Sequence, residues 1–338
     1  GTTGRSKGAM VTHRNLSSNA RVLVDYWGFN DRDVLLHALP VFHIHGLFVA
    51  NHCALLSGSR LLWHRKFDAK QVLSDLARAT VMMGVPTFYT RLLAERDFDQ
   101  EACRNMRLFI SGSAPLQLET FKEFQQRSGQ CILERYGMSE AGMICSNPLA
   151  GERRGGSVGF PLSGVALRIA DEHDLPLPNG QVGGIQIKGD NVFAGYWRMP
   201  EKTREEFARD GYFRTGDIGT IADDGYVSIV GRAKDLIISG GYNVYPKEIE
   251  LALDAIEGVA ESAVIGIPHP DFGESVAAVV VAAKDAQLDS AALIAELKKN
   301  FANYKVPKHI YLVEDLPRNA MGKVQKALLR ERYGKSRH

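Results

Sequence analysis

The sequence is poor in cysteine: four residues in 338, Cys53, Cys103, Cys131 and Cys145. No two form a CxxC pair, which removes zinc ribbons and thioredoxin-type redox chemistry. The simplest reading is reduced thiols in a cytoplasmic protein. No run of 18 or more apolar residues occurs, so no membrane-spanning helix and no membrane partner are expected. No secretory signal pattern opens the chain. An excess of one charge is missing too, since 41 Lys and Arg face 39 Asp and Glu for a formal net charge of +2. A nucleic-acid binder shows a stronger basic excess or a basic stripe. The one basic stretch, 326–338, is explained as well by a solvated helix end. There is no GxGxxG fingerprint, which argues against a nicotinamide dinucleotide site. With 45% hydrophobic and 24% charged residues, disorder, collagen and coiled coil are excluded as the main character. What remains is a globular chain of two or three domains. It opens at Gly1 inside a Gly/Thr loop without a Met, so the expectation is a natural N-terminus further upstream.

Three textures follow one another. In residues 1–150, apolar strand candidates at 33–40, 59–64, 80–85 and 107–111 alternate with helical segments at 44–57, 68–79 and 116–128. That alternation implies a parallel α/β sheet flanked by helices, with ligands at the carboxyl ends of its strands. The four strands read as central and buried on both faces. From 151 to 231, short strands (VALRIA, GGIQIKG, DIGTIA, YVSIVG) separated by Gly, Pro, Asn and Asp predict an antiparallel, barrel-like subdomain. From 232 to 338 the pattern is a small α+β domain, with helices at 246–257, about 290–301 and from about 324, and strands at 260–267, 275–283 and 308–313. Its first helix has Pro246 in the first turn and Gly258 just past the end.

Several segments could carry chemistry, each beside a plainer reading. Gly1-Thr-Thr-Gly-Arg-Ser-Lys-Gly8 offers small residues, hydroxyls and a cation to an anion, or is a flexible linker. Gly155-Gly-Ser157-Val-Gly159 matches GxSxG, but Pro161 and Gly164 oppose the helix that a nucleophile elbow requires. His37, His43, His45 and His52 cluster without an acidic or Cys partner at metal-ligand spacing, and read as core and pocket-lining histidines. In Tyr136-Gly-Met-Ser-Glu140 the carboxylate could hold Mg²⁺ beside phosphates, since hard cations prefer oxygen; an ordinary strand-to-turn junction fits equally. Asp217, ending YFRTGD, could accept hydrogen bonds from vicinal ribose hydroxyls or cap a hairpin. Arg232 and Lys234 lie in GRAKD, which reads as a linker. Lys323 in PRNAMGK is by itself a lysine on an exposed turn.

The order of nine blocks decides among these. GTTGRSKG, LPVFHIHG, SGSAPL, YGMSE, GGSVGFPL, YFRTGD, GRAKDLI, GGYNVYPKEIE and PRNAMGK resemble, in that order and over essentially the whole chain, the adenylate-forming (AMP-forming) acyl-CoA synthetases, most of all the malonate–CoA type, with the family's N-terminal portion absent. The resemblance implies an acid–CoA ligase using ATP, Mg²⁺ and coenzyme A. A carboxylic acid attacks the α-phosphate of ATP to give an acyl-adenylate, and the CoA sulfur then displaces AMP. It implies Thr2, Thr3, Gly4 and Lys7 on the β,γ-phosphates and Glu140 on Mg²⁺, with Ser139 on the α-phosphate. Gly112, Ser113, Ala114, Tyr136, Gly137 and Met138 would frame adenine, and Asp217 and Arg232 the ribose. Lys323 would bridge carboxylate and α-phosphate. Lys234 matches the hinge of a mobile C-terminal domain, and Gly240 and Gly241 line the pantetheine path. A lysine acetyltransferase and deacetylase acting on Lys323 are the implied regulatory partners. A dicarboxylate needs a fixed cation, preferably an Arg fork. Arg91, in Val85-Pro-Thr-Phe-Tyr-Thr-Arg91, is the candidate, with His45 and Ser111 as helpers; a surface Arg on an amphipathic helix is the plainer reading. An acid ligase for aromatic substrates and a non-catalytic fragment remain as alternatives.

Overall fold

A computed structural model describes residues 7–319 and 322–334. By contacts the chain divides into two units: Lys7–Thr215 with Gly219–Ile229, and Gly216–Ile218 with the chain from Val230 onward.

The first unit holds a seven-stranded sheet in the order β2-β1-β3-β4-β5-β6-β7. Its strands are β1 (Val34–His37), β2 (Arg60–Trp63), β3 (Val81–Gly84), β4 (Leu108–Ser111), β5 (Leu133–Met138), β6 (Gly142–Ser146) and β7 (Phe160–Pro161). Pairing is parallel from β2 to β5 and antiparallel from β5 to β7. The parallel reading of 1–150 therefore needs correcting at its end: Gly142, with φ +60, closes a turn that sends β6 back along β5. The helices are α1 (His13–Tyr26), α2 (Asn51–Ser57), α3 (Ala69–Asp75), α4 (Pro86–Leu93) and α5 (Leu118–Ser128), and a π-helical turn spans His45–Ala50 before α2.

Helix α1 is not among the sequence expectations, although its start is written locally. The Thr12 side chain accepts from the Asn15 N–H and the Asn15 side chain accepts from the Thr12 N–H, a reciprocal cap. Asp68 caps α3 at the expected place. Of the four strands read as central, β1, β3 and β4 are interior and buried, but β2 is an edge. It pairs with β1 alone among the described residues, so Trp63 is 51% exposed. Phe42, Leu55, Leu56 and Leu61 are exposed as well.

A second sheet, β11-β10-β9-β8, is formed by β8 (Val165–Ala170), β9 (Gly183–Gly189), β10 (Phe213–Ile221) and β11 (Val227–Arg232), with α6 (Pro200–Glu205) between β9 and β10. Ile169, Ile185, Ile187, Phe193, Phe213 and Val227 share its core. Residues 216–218, in the middle of β10, and 230–232, at the end of β11, group with the second unit.

The second unit is built on β14 (Val259–His269) and β15 (Gly273–Ala282), an antiparallel pair. They are joined by β12 (Ile237–Ser239), β13 (Tyr242–Val244) and β16 (His309–Val313), the last parallel to β15. Helix α7 (Pro246–Asp254) and α8 (Ser290–Asn300) supply Ile249, Leu253, Leu293 and Leu297 to one core, and α9 (Lys326–Tyr333) supplies Leu329 to another.

Candidate active site

In the first unit the site is built on the turn between β5 and β6. The register slips between Tyr136 and Gly137, where Gly137 pairs Met143. A Cβ on Gly137 would lie 2.3 Å from the Gly142 carbonyl oxygen, so only glycine lets the strands approach here. Glu140 follows in the turn, which is pinned from outside: its carbonyl accepts from the Phe193 N–H at 2.7 Å, and buried Asn191 donates to the Ala141 carbonyl at 2.8 Å. The Glu140 carboxylate accepts from the Tyr196 hydroxyl at 2.9 Å. Lys7 lies on the same tyrosine, its Nζ donating to the hydroxyl at 3.4 Å and sitting 4.4 Å from the ring centre. Burial, and then the charge of Glu140, hold the Tyr196 phenol well above its ordinary pKa, so it remains a donor. The structure thus joins the expected phosphate lysine and the expected metal carboxylate through Tyr196, a residue the sequence reading missed. Thr2, Thr3 and Gly4 lie outside the described residues.

The loop after β4 carries Ser111, Gly112, Ser113 and Ala114. Ser113 adopts φ +72, a strained conformation for a side-chain-bearing residue. Its Oγ lies 3.2 Å from His45 Nδ1. His45 is fully buried, and burial together with the nearby charges of Arg135, His43 and His37 keeps the ring neutral. Beside them lies Arg135 on β5, 3% exposed. Burial lowers its pKa to about 9, so it is a cation at neutral pH. The sequence reading missed it as well. The available signal was a charge in the apolar run Ile132-Leu133-Glu134-Arg135-Tyr136. Arg91, expected to be the pocket cation, is exposed on the last turn of α4, so the buried arginine in this region is Arg135 instead. Ser157 is not a nucleophile: it is buried and its hydroxyl donates to the Val227 carbonyl at 2.7 Å. Among the described residues no three His, Cys, Asp or Glu side chains converge as a metal site.

In the second unit, Asp217 and Arg232 form an ion pair, Nε to Oδ1 2.8 Å, with Asp217 buried. Lys323 lies within electrostatic range of this pair and of Lys234 and Asp235. Burial first, and then the Arg232 charge, pull the Lys323 ammonium down to about 8. Its backbone N–H donates to Asn319 Oδ1 at 3.0 Å, and its carbonyl accepts from the Asn319 N–H. Four charged residues from two segments, Asp217 and the Arg232–Asp235 stretch, are therefore gathered around a lysine about 90 residues or more further along the chain. Lys234 is exposed beside them. Gly240 and Gly241, with φ +58 and +83, form the two-residue turn between β12 and β13, the backbone signature of a type I′ hairpin.

The AMP-binding enzyme family matches residues 1–197, and the AMP-binding enzyme C-terminal domain matches residues 248–323. The chain belongs to the AMP-binding enzyme family. Among curated relatives of the chain, malonate–CoA ligase of Arabidopsis thaliana is 39% identical over 98% of the chain and 59% of its own length. A feruloyl-CoA synthase of an Amycolatopsis species is 39% identical over 99% of the chain and 68% of its own length. Of solved structures, ATP-bound MatB from Rhodopseudomonas palustris superposes with a TM-score of 0.98 at 56% identity, covering 99% of this chain and 67% of that one. The chain spans about 60% of the length of the first curated relatives it matches.

Proposed function

We propose that the protein is an AMP-forming acid–CoA ligase acting on malonate or methylmalonate. The observation that carries this is the gathering of Asp217, Arg232 and Lys323 into one charged cluster with a depressed lysine. Asp217 and Arg232 would hold the ribose hydroxyls. Lys323, still mostly protonated at neutral pH, would neutralise charge where the acid's carboxylate meets the α-phosphate. Joining an anion to a polyanion is chiefly a matter of position and countercharge, so such a lysine contributes most in the transition state. Lys7 would bind the β,γ-phosphates and Ser139 the α-phosphate, while Gly112, Ser113, Ala114, Tyr136, Gly137 and Met138 would frame the adenine.

Mg²⁺ fits the donor set. It takes one or two carboxylates and completes its shell with water and substrate phosphate, and Glu140 is a carboxylate held by Tyr196 beside Lys7. Bound there, the ion would screen the phosphate charge. Gly240 and Gly241 would leave room for the pantetheine chain, and Lys234 would serve as the hinge. His45 and Ser111, with Arg91, would line the acyl pocket. We assign the protein to the cytoplasm, where four unpaired cysteines are stable. An amine with a pKa near 8 is about a tenth deprotonated at pH 7, which suits Lys323 to acetylation that would remove its charge and silence adenylation.

Acid-dependent exchange of pyrophosphate into ATP tests the reading. Exchange with malonate or methylmalonate supports it, and exchange with aromatic acids alone supports the second reading, which rests on the feruloyl-CoA synthase likeness. No exchange with any acid by the complete protein overturns both.

A further inference from the structure

The loop that carries Lys323 is closed at its base. Arg318 and Val324 form a bridge, and the Gln325 N–H donates to the Pro317 carbonyl at 2.8 Å. The Arg318 guanidinium donates to the Gly322 carbonyl at 2.7 Å. Helix α9 begins three residues after the lysine, so whatever seats the helix also seats the loop.

Buried Leu329 anchors α9 in a core, and Tyr333 stacks on Tyr311 of β16, ring centres 4.1 Å apart. Beside that anchor the helix carries two cations one turn apart on one face, Lys326 and Arg330. Lys326 pairs with Glu250 of α7 at 2.5 Å. Arg330 Nη2 pairs with Asp235 Oδ1, across 95 residues of chain, in the short 3₁₀ turn Ala233–Asp235. That turn follows Arg232, the partner of Asp217, and Asp235 is itself one of the charges that act on the Lys323 ammonium. An exposed ion pair contributes little. Here the Arg330 and Asp235 side chains are only 30% and 17% exposed, and they join the turn that surrounds the lysine with charge to the helix that carries its loop. None of the roles assigned above needs Arg330.

We propose that Arg330 is a positioning residue for adenylate formation: its ion pair with Asp235 ties α9 to the 233–235 turn and so holds Lys323 beside the Asp217–Arg232 pair. The assignment rests on the ligase reading for what the lysine does. It carries a demand of place and one of charge. Removing Arg330 loosens the lysine and leaves the Asp235 carboxylate uncompensated, which favours the ammonium. Removing the Asp235 charge leaves the Arg330 guanidinium uncompensated, which disfavours it. The other charges around the lysine stay as they are in both cases: Asp217 on β10, Arg232 at the end of β11 and Lys234 in the turn. On α9, Lys326 remains matched by Glu250.

The test reads Lys323 without turnover. Trace acetic anhydride is applied across about pH 7–10 to the complete protein and to its Arg330→Leu, Arg330→Lys and Asp235→Asn variants, and acetylation of Lys323 is followed by peptide mass spectrometry. The wild-type amine should titrate near pH 8. Arg330→Leu should move that midpoint up and Asp235→Asn should move it down, each by about half a pH unit or more. Arg330→Lys, which keeps the charge, should leave it within about 0.2 of wild type. A contact that only supports the fold would not give opposite shifts from the two halves of one pair. In parallel, Arg330→Leu should lower malonate-dependent pyrophosphate exchange about tenfold or more, with most of it regained in Arg330→Lys, and leave thioester formation from supplied acyl-adenylate within about threefold. Where Arg330→Leu does not fold, the downward shift in Asp235→Asn and the unmoved midpoint in Arg330→Lys carry the same conclusion. Shifts in one direction, midpoints that do not move, or equal loss in both half-reactions would overturn the assignment. Opposite shifts without any wild-type exchange would keep Arg330 as the seat of Lys323 and sink the ligase reading alone.

Discussion

A lysine in a turn says little until its neighbours are known. Lys323 sits near Arg232 and Lys234, which disfavour its charge, and near Asp217 and Asp235, which favour it, and burial tips the balance to a pKa of about 8. Two outcomes follow. Lys323→Ala should lower adenylate formation by about 100-fold or more, the size seen when one preorganised charge donor is removed. Thioester formation from supplied acyl-adenylate should be nearly unchanged, and equal loss in both half-reactions would remove Lys323 from the first step. The second outcome concerns pH. The useful form is the protonated one, and its folded pKa is lowered from 10.5. Adenylation kcat/KM should therefore fall as pH rises through about 8, not through the ordinary lysine range. A rate profile flat to pH 10 would contradict this.

Glycines fix two of the elements that carry site residues, for different reasons. Gly137 is required by contact, since any Cβ meets the Gly142 carbonyl across the β5–β6 pair. Gly137→Ala should lower the melting temperature and release Glu140, by an amount typical of overpacking, about 1–3 kcal/mol. Gly241 is different: nothing lies within 4 Å of its would-be Cβ, and only its φ of +83 asks for glycine. Gly241→Ala should therefore cost about 1–2 kcal/mol through backbone conformation alone. If the β12–β13 turn lines the pantetheine path, the same change should slow thioester formation more than adenylation; equal slowing would leave the glycine with a folding role only. Element type was legible where local chemistry decides it, as in the Asp68 cap of α3 and Pro246 opening α7. The helix read over 44–57 is a π-turn followed by α2, and in that turn Gly46 packs against the Pro40 carbonyl, where a Cβ would come within 2.4 Å. No local pattern in the sequence announces such a contact.

For the whole molecule, the open apolar residues of α2 and β2 matter most. Leu55, Leu56, Leu61 and Trp63 are exposed beside an edge strand. An edge with apolar neighbours pairs readily with other chains. A polypeptide of these 338 residues should bind apolar dyes and scatter light increasingly with concentration. Leu55→Lys combined with Trp63→Lys should reduce both. A monodisperse solution at high concentration, with no dye binding, would show that this face is not adhesive.

The order of nine motifs was enough for the family, because each block is a local backbone or charge requirement that contiguous residues write down. The tertiary structure alone decided that β2 is an edge, that Tyr196 joins Lys7 to Glu140, and that the buried arginine is Arg135 and not Arg91. Burial, pairing and charge compensation depend on residues from distant segments meeting, and no spacing along the chain records which of two arginines ends up without water.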